Sequence, residues 1–185
     1  MRRGFERLML RLKLSVAKLK FRFSRRPESR LTLSAMGRDF SIRLHSVGDK
    51  GVFTQIFISR DYDLRRFIQG SWVRNYYDSI TKSRGRPLIV DAGANIGASS
   101  VWFSGEFPAC RLVAIEPEPN NAALLRANCV GIDYDLIEGG VAAEDGEMYL
   151  LDEGQGDWAF RLTGASSTAA LDAKRAMVVS ARRIV

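Results

Sequence analysis

Cysteine and histidine are scarce in this chain: two cysteines and a single histidine in 185 residues. Cys110 and Cys129 stand 19 positions apart with no Cys-x-x-Cys pair. That spacing, with His45 alone, supplies neither a zinc ligand set nor a disulfide framework, so no metal is expected. The cysteines read as reduced, buried small apolar residues of a cytosolic-type protein. His45, at the end of a short strand pattern, reads as a surface residue rather than a base. No stretch of 18 apolar residues exists, which predicts no membrane-spanning helix.

Acid is scarce in the first thirty residues, where Glu6 and Glu28 face eleven Lys and Arg, a net charge of +9. The remaining 17 basic and 19 acidic residues leave −2 for the rest. The overall +7 therefore belongs to an N-terminal arm, and nucleic-acid binding by the folded body loses its main support. Along the arm Phe5, Leu8, Met9, Leu12, Val16, Leu19 and Phe23 recur at helical spacing. This predicts a basic amphipathic helix over residues 1–30. It either packs on the body or, through residues 1–26, lies on an anionic membrane surface or in a partner's groove. The expected location is cytoplasmic, peripheral at a membrane if the arm binds one.

Arg25-Arg26-Pro27-Glu28-Ser29 reads as a linker. Residues 31–86 form a lead-in. Alternation of Leu31 and Leu33, then Phe40, Ile42 and Leu44, predicts a hairpin turning at Met36-Gly37-Arg38-Asp39. Leu64, Phe67, Ile68, Trp72, Tyr76 and Ile80 predict a helix whose aromatics face the core or cover a sheet, ending near Ser83–Pro87.

From residue 87 to 185 the expected fold is α/β. Leu88–Val90 is a short apolar run of the kind buried on both faces. Then follow a helix at 98–105, a strand at 112–115, a helix at 120–130 and a strand at 134–137. Strands separated by such helices give right-handed crossovers and a parallel sheet. Beyond it, Val141–Ala143 and Met148–Leu151 about Asp145-Gly146 predict a hairpin, and Met177-Val178-Val179 a last strand.

Chemistry concentrates at the strand ends, where ligands of such sheets bind. Asp91 closes the first strand and Glu116 the second, 25 residues later. An acid at the second position can accept both hydroxyls of a ribose, which points to a nucleoside-containing cofactor. A dinucleotide prefers Gly-x-Gly-x-x-Gly and an uncharged loop. Here the loop is Asp91-x-Gly93-x-Asn95-x-Gly97, with a carboxylate at its mouth that repels pyrophosphate and suits a cationic aminoacyl tail. The loop argues for S-adenosylmethionine over a nicotinamide cofactor.

Ile89–Gly97, Phe107-Pro108 and Val113–Pro119 together resemble the cofactor core of class I S-adenosylmethionine-dependent methyltransferases of the FkbM type. Val52–Phe57, Asp49, Tyr62-Asp63 and Trp158–Arg161 extend the resemblance, which covers roughly residues 38–180. It implies a Rossmann-like fold and methyl transfer, most often to a hydroxyl of a sugar or secondary metabolite, with a small-molecule or glycan acceptor. It places Asp91, Gly93, Ala94, Asn95 and Gly97 at the aminoacyl end, Glu116 at the ribose and Pro117 beside the adenine. The family continues with a strand carrying Lys-x-Asp and Glu-Gly signatures. None follows here, so a truncated chain is expected, with an open sheet edge and no assignable catalytic base. A non-catalytic cofactor-binding remnant, a membrane- or partner-associated module and a nicotinamide-dependent oxidoreductase stand as the alternatives.

Overall fold

The computed structural model describes residues 30–152, 160–163 and 174–184. The expected arm helix at 1–29 and most of the Gly- and Ser-rich stretch around Trp158 lie outside the described residues.

The chain opens on a hairpin of β1 (Arg30–Ala35) and β2 (Arg38–Arg43), with Leu33 opposite Phe40 and Leu31 opposite Ile42. Its two-residue turn, Met36-Gly37, has φ of 51° and 77°, the left-handed pair whose twist matches that of the strands. Helix α1 (Val47–Phe53) starts at Ser46, whose hydroxyl accepts from the Asp49 amide at 2.9 Å. A π-helical turn, Thr54–Ser59, extends it. Phe40, Phe53 and Phe57 then form an aromatic cluster with centroids 5.0 to 5.7 Å apart. This cluster, with Leu33 and Ile42, fastens the hairpin to the main core.

The aromatic stripe that predicts one core-facing helix is divided. Leu64–Arg66 is a 3₁₀ turn capped by Asp63, Phe67 is extended, and helix α2 runs Gly70–Lys82. Ile68, Trp72 and Tyr76 point outward, 84%, 68% and 70% exposed. The inward side of α2 belongs to other residues. Gly70 abuts the 3₁₀ turn so closely that a Cβ would lie 1.8 Å from the Leu64 carbonyl oxygen. Arg74 donates to the Glu106 carbonyl at 2.8 Å and lies over the Phe107 ring, which Tyr77 meets edge-on.

The parallel sheet follows as β3 (Leu88–Ala92), α3 (Ala98–Glu106), β4 (Arg111–Ile115), α4 (Pro119–Asn128) and β5 (Tyr134–Ile137). Its strand order is β3-β4-β5, with Ile89 beside Leu112 and Leu112 beside Tyr134. One face, carrying Leu112 and Ala114, packs on α3 and α4. On the other face Val113, Ile115 and Ile137 meet Val179 and Ile184. Burial on both faces therefore holds for β4 and fails for β3, where Leu88 and Val90 are 36% and 40% exposed. The reason is position. Among the described residues, strand β3 has a neighbour only on the β4 side, and Val179 and Ile184 cover β4 and β5.

The last strands depart further from expectation. β6 (Gly140–Ala142) and β7 (Gly146–Asp152) both form, yet they do not pair with each other. β9 (Lys174–Ser180) enters between them, parallel to β6 and antiparallel to β7, and β8 (Phe160–Thr163) completes the order β6-β9-β7-β8. The Asp145 carboxylate meets the end of β9, accepting from the Ser180 amide at 2.6 Å and the Arg183 guanidinium at 3.2 Å. A short helix α5 (Ala181–Ile184) follows β9.

Candidate functional site

The loop joining β3 to α3 carries three residues in the left-handed region: Gly93 at φ 78°, Asn95 at 51° and Gly97 at 85°. The Gly93 and Ala94 amides both donate to the Ile115 carbonyl at 2.9 and 3.0 Å, tying the loop to the end of β4. The Ile96 amide donates to the Asn95 side-chain oxygen at 2.7 Å, which explains how a non-glycine residue tolerates positive φ there. Gly97 serves packing: a Cβ would come within 3.1 Å of both Cys129 Sγ and Leu125 Cγ. Gly93 is exposed, with nothing within 4 Å of where its Cβ would stand, so its backbone is open to a ligand.

Asp91 and Glu116 stand at the ends of adjacent strands, and both are buried. Asp91 Oδ2 accepts from Ser99 Oγ at 2.8 Å and Ser100 Oγ at 2.6 Å, from the first turn of α3. Its Oδ1 takes part in neither bond. Burial raises the Asp91 pKa, and the two hydroxyls offset part of that rise. Glu116 Oε2 accepts from the Asn95 amide at 2.8 Å, while Oε1 accepts from the Glu118 amide at 3.0 Å and Asn121 Nδ2 at 3.4 Å. Burial raises its pKa as well, against the amide hydrogen bonds that favour the charged form. One carboxylate thus bridges both strand-end loops. Pro117, next to it, is half-buried.

A polar chain behind Glu116 carries no signal in the sequence. Asn121 Oδ1 accepts from Arg43 Nη2 at 2.7 Å, and Arg43 grips both oxygens of buried Asp49 at 2.6 and 3.0 Å. Asn128 Nδ2 donates to the Ile96 and Ser41 carbonyls at 2.8 and 3.0 Å, a second tie between hairpin and loop. Ser99, Ser100, Asn121, Arg43 and Asn128 are the supporting residues that motif reasoning misses. The loop residues and both acids come together as expected. His45 is half-buried near the end of β2.

A separate cleft of about 440 Å³ lies on the flank of α3, lined in part by Tyr62, Arg65, Phe67, Arg74, Trp102 and Glu106. Its charges pair among themselves, Arg65 with Asp63 at 2.6 Å and Arg74 with Glu106 at 3.4 Å. Tyr62 stacks on Phe103. Its phenol pKa is raised, first by burial and then by the charge of Asp91. Both thiols are free and buried, and burial pushes Cys129 up to about 12. Among the described residues no group of three or more His, Cys, Asp or Glu could hold a metal ion, and no helix is long and apolar enough to cross a membrane.

No protein-family model matches the chain, and no curated protein matches it. Among solved structures it is similar to the crystal structure of the plantazolicin methyltransferase BpumL in complex with a monoazolic desmethylPZN analog and SAH, at 16% identity and a TM-score of 0.32. That match covers 76% of this chain and 44% of the other, so the chain spans less than half the length of this neighbour.

Proposed function

We propose that the chain binds S-adenosylmethionine at the ends of β3 and β4, as a methyltransferase of the FkbM type acting on a hydroxyl of a sugar or small secondary metabolite. The observation that carries the reading is the pair of buried carboxylates, Asp91 and Glu116, at the ends of adjacent parallel strands, beside the β3–α3 loop with its three left-handed residues, whose Asn95 amide donates to Glu116. The donor set fits the cofactor. A carboxylate has about four lone-pair sites. Asp91 uses Oδ2 for the serines, leaving Oδ1 to take a cationic amine, and Glu116 Oε2 accepts one amide, leaving capacity for a ribose hydroxyl. Gly93 and Ala94 would offer open or tethered backbone beside the aminoacyl end, with Asn95 and Gly97 setting the loop's shape, and Pro117, next to Glu116, would lie beside the adenine. When bound, the cofactor supplies a methyl group activated by a sulfonium. The chain's residues bind and orient it, and no described residue is assigned as the base.

That last point favours a second reading, a cofactor-binding protein without transfer activity. A nicotinamide cofactor is disfavoured by the buried carboxylate at the loop mouth. Titration calorimetry with S-adenosylhomocysteine tests the binding step. The wild-type chain should bind. Asp91→Asn and Glu116→Gln, which keep shape while removing the charge and turning one acceptor oxygen into an NH2 donor, should each weaken binding about 10- to 100-fold, as expected for losing a charged hydrogen-bond partner. No heat from the wild-type chain, with stabilisation by NADH instead, would overturn the assignment.

A further inference from the structure

We propose that the outer flank of α2 is a docking surface for an anionic lipid membrane. Trp72 and Tyr76 stand one turn apart on it, Ile68 precedes them by four residues, and Phe67 and Val73 border them, all exposed. Large exposed apolar patches of this kind mark interaction surfaces rather than ordinary solvent-facing helix. Trp and Tyr, each an apolar body with a polar tip, suit the boundary between headgroups and acyl chains.

Charge selects the occupant. Residues 60–86 hold seven Lys and Arg against Asp61, Asp63 and Asp78, a net of +4. Residues 31–59 and 87–185 together hold ten basic and 16 acidic residues, a net of −6. The segment that displays the aromatics is thus net cationic by sequence, while the rest of the body is net acidic. Asp63 pairs with Arg60 and Arg65, Asp61 with Arg66, Glu106 with Arg74 and Asp133 with Arg86, so the segment's cations with no ion pair among the described residues are Lys82 and Arg84, both exposed at the far end of the helix. A surface both apolar and cationic is drawn to anionic lipid by burial and by charge together. A second copy would bring the same positive charge against it, and a nucleic acid would leave Ile68 and Val73 without an apolar environment. This surface is independent of the proposed cofactor site.

The test uses the full chain and vesicles of phosphatidylcholine with and without phosphatidylserine. Sedimentation should require phosphatidylserine and should fall about tenfold in Ile68→Ser/Trp72→Ser/Tyr76→Ser, which leaves the N-terminal arm intact. Brominated phosphatidylcholine in those vesicles should quench tryptophan fluorescence in the wild-type chain and not in Trp72→Phe. The melting temperature should stay unchanged in both variants, because the altered side chains face solvent. Equal sedimentation of triple variant and wild type would overturn the proposal by assigning binding to the arm. Failure of the wild type to sediment, with a dimer that the triple variant dissociates or an oligonucleotide complex that it abolishes, would overturn it in favour of that partner.

Discussion

Burial of the two acids gives each a pH dependence of its own. Asp91 and Glu116 have pKa values raised above their ordinary 3.8 and 4.5, with burial the largest cause in each. A raised acid binds its proton more tightly in the folded state. Its contribution to stability therefore grows as pH falls through the raised value toward the ordinary one, and is lost as pH rises again. In the proposed binding mode the ligand needs the charged forms, so its affinity moves oppositely. Acidification through this window should stabilise the apoprotein against urea while weakening S-adenosylhomocysteine. In Asp91→Asn/Glu116→Gln the urea midpoint should lose that part of its pH dependence, and an unchanged profile would remove these groups from the account. At this scale the sequence displays the acids and glycines, because an acid ending an apolar run and a glycine at alternate positions are local patterns. Ser99 and Ser100 escape it, since hydroxyls at a helix start look like ordinary first-turn residues until the fold turns them onto Asp91.

Between elements, the coupling of hairpin to site runs through few side chains. Arg43 is the cation that holds Asp49, whose side chain is 1% exposed, and it also donates to Asn121 beneath Glu116. Arg43→Ala leaves a buried carboxylate without that partner, and such losses cost about 3–5 kcal/mol. Chemical denaturation should show that loss, and amide exchange should quicken along β1, β2 and the start of α4. Gly97→Ala tests the loop: its φ of 85° strains any side chain, and a Cβ would come within 3.1 Å of Cys129 Sγ and Leu125 Cγ, which would have to shift. The expected cost is about 1–3 kcal/mol of stability, with weaker S-adenosylhomocysteine binding. Elements whose partners are near in sequence were readable: the β1–β2 hairpin, β3 to β5 and the two crossover helices fall within a residue or two of their patterns. Pairing across distance was not. β6 and β7 look like a hairpin, but β9 comes between them by pairing with both, Val178 lying beside Gly140 and Gly146 more than 30 positions away. The outward turn of Trp72 and Tyr76 was hidden likewise, because periodicity shows that a helix has an apolar side without showing what stands opposite it.

For the molecule as a whole, the two thiols report whether hairpin, loop and sheet open together. Cys129 is fully buried, its Sγ 4.0 Å from the Gly97 carbonyl oxygen in the main core, and its pKa of about 12 leaves almost no thiolate at neutral pH. Cys110 is buried in a second cluster with Phe107 and Leu112 beneath α2, its pKa also raised, chiefly by burial. Neither should react with a thiol-specific disulfide reagent in the native state, so each modification rate measures the opening that exposes it. If opening is cooperative the two rates coincide. A faster Cys110 would mark α2 and the loop beneath it as a separately opening unit. A ligand bound at the Gly93–Gly97 loop must leave before Cys129 is exposed there. S-adenosylhomocysteine at one hundred times its Kd should therefore slow Cys129 about 100-fold. Slowing of Cys129 without Cys110 would confine the coupled opening to the loop and α4. Slowing of both would show that the site is built on the stability of the whole fold.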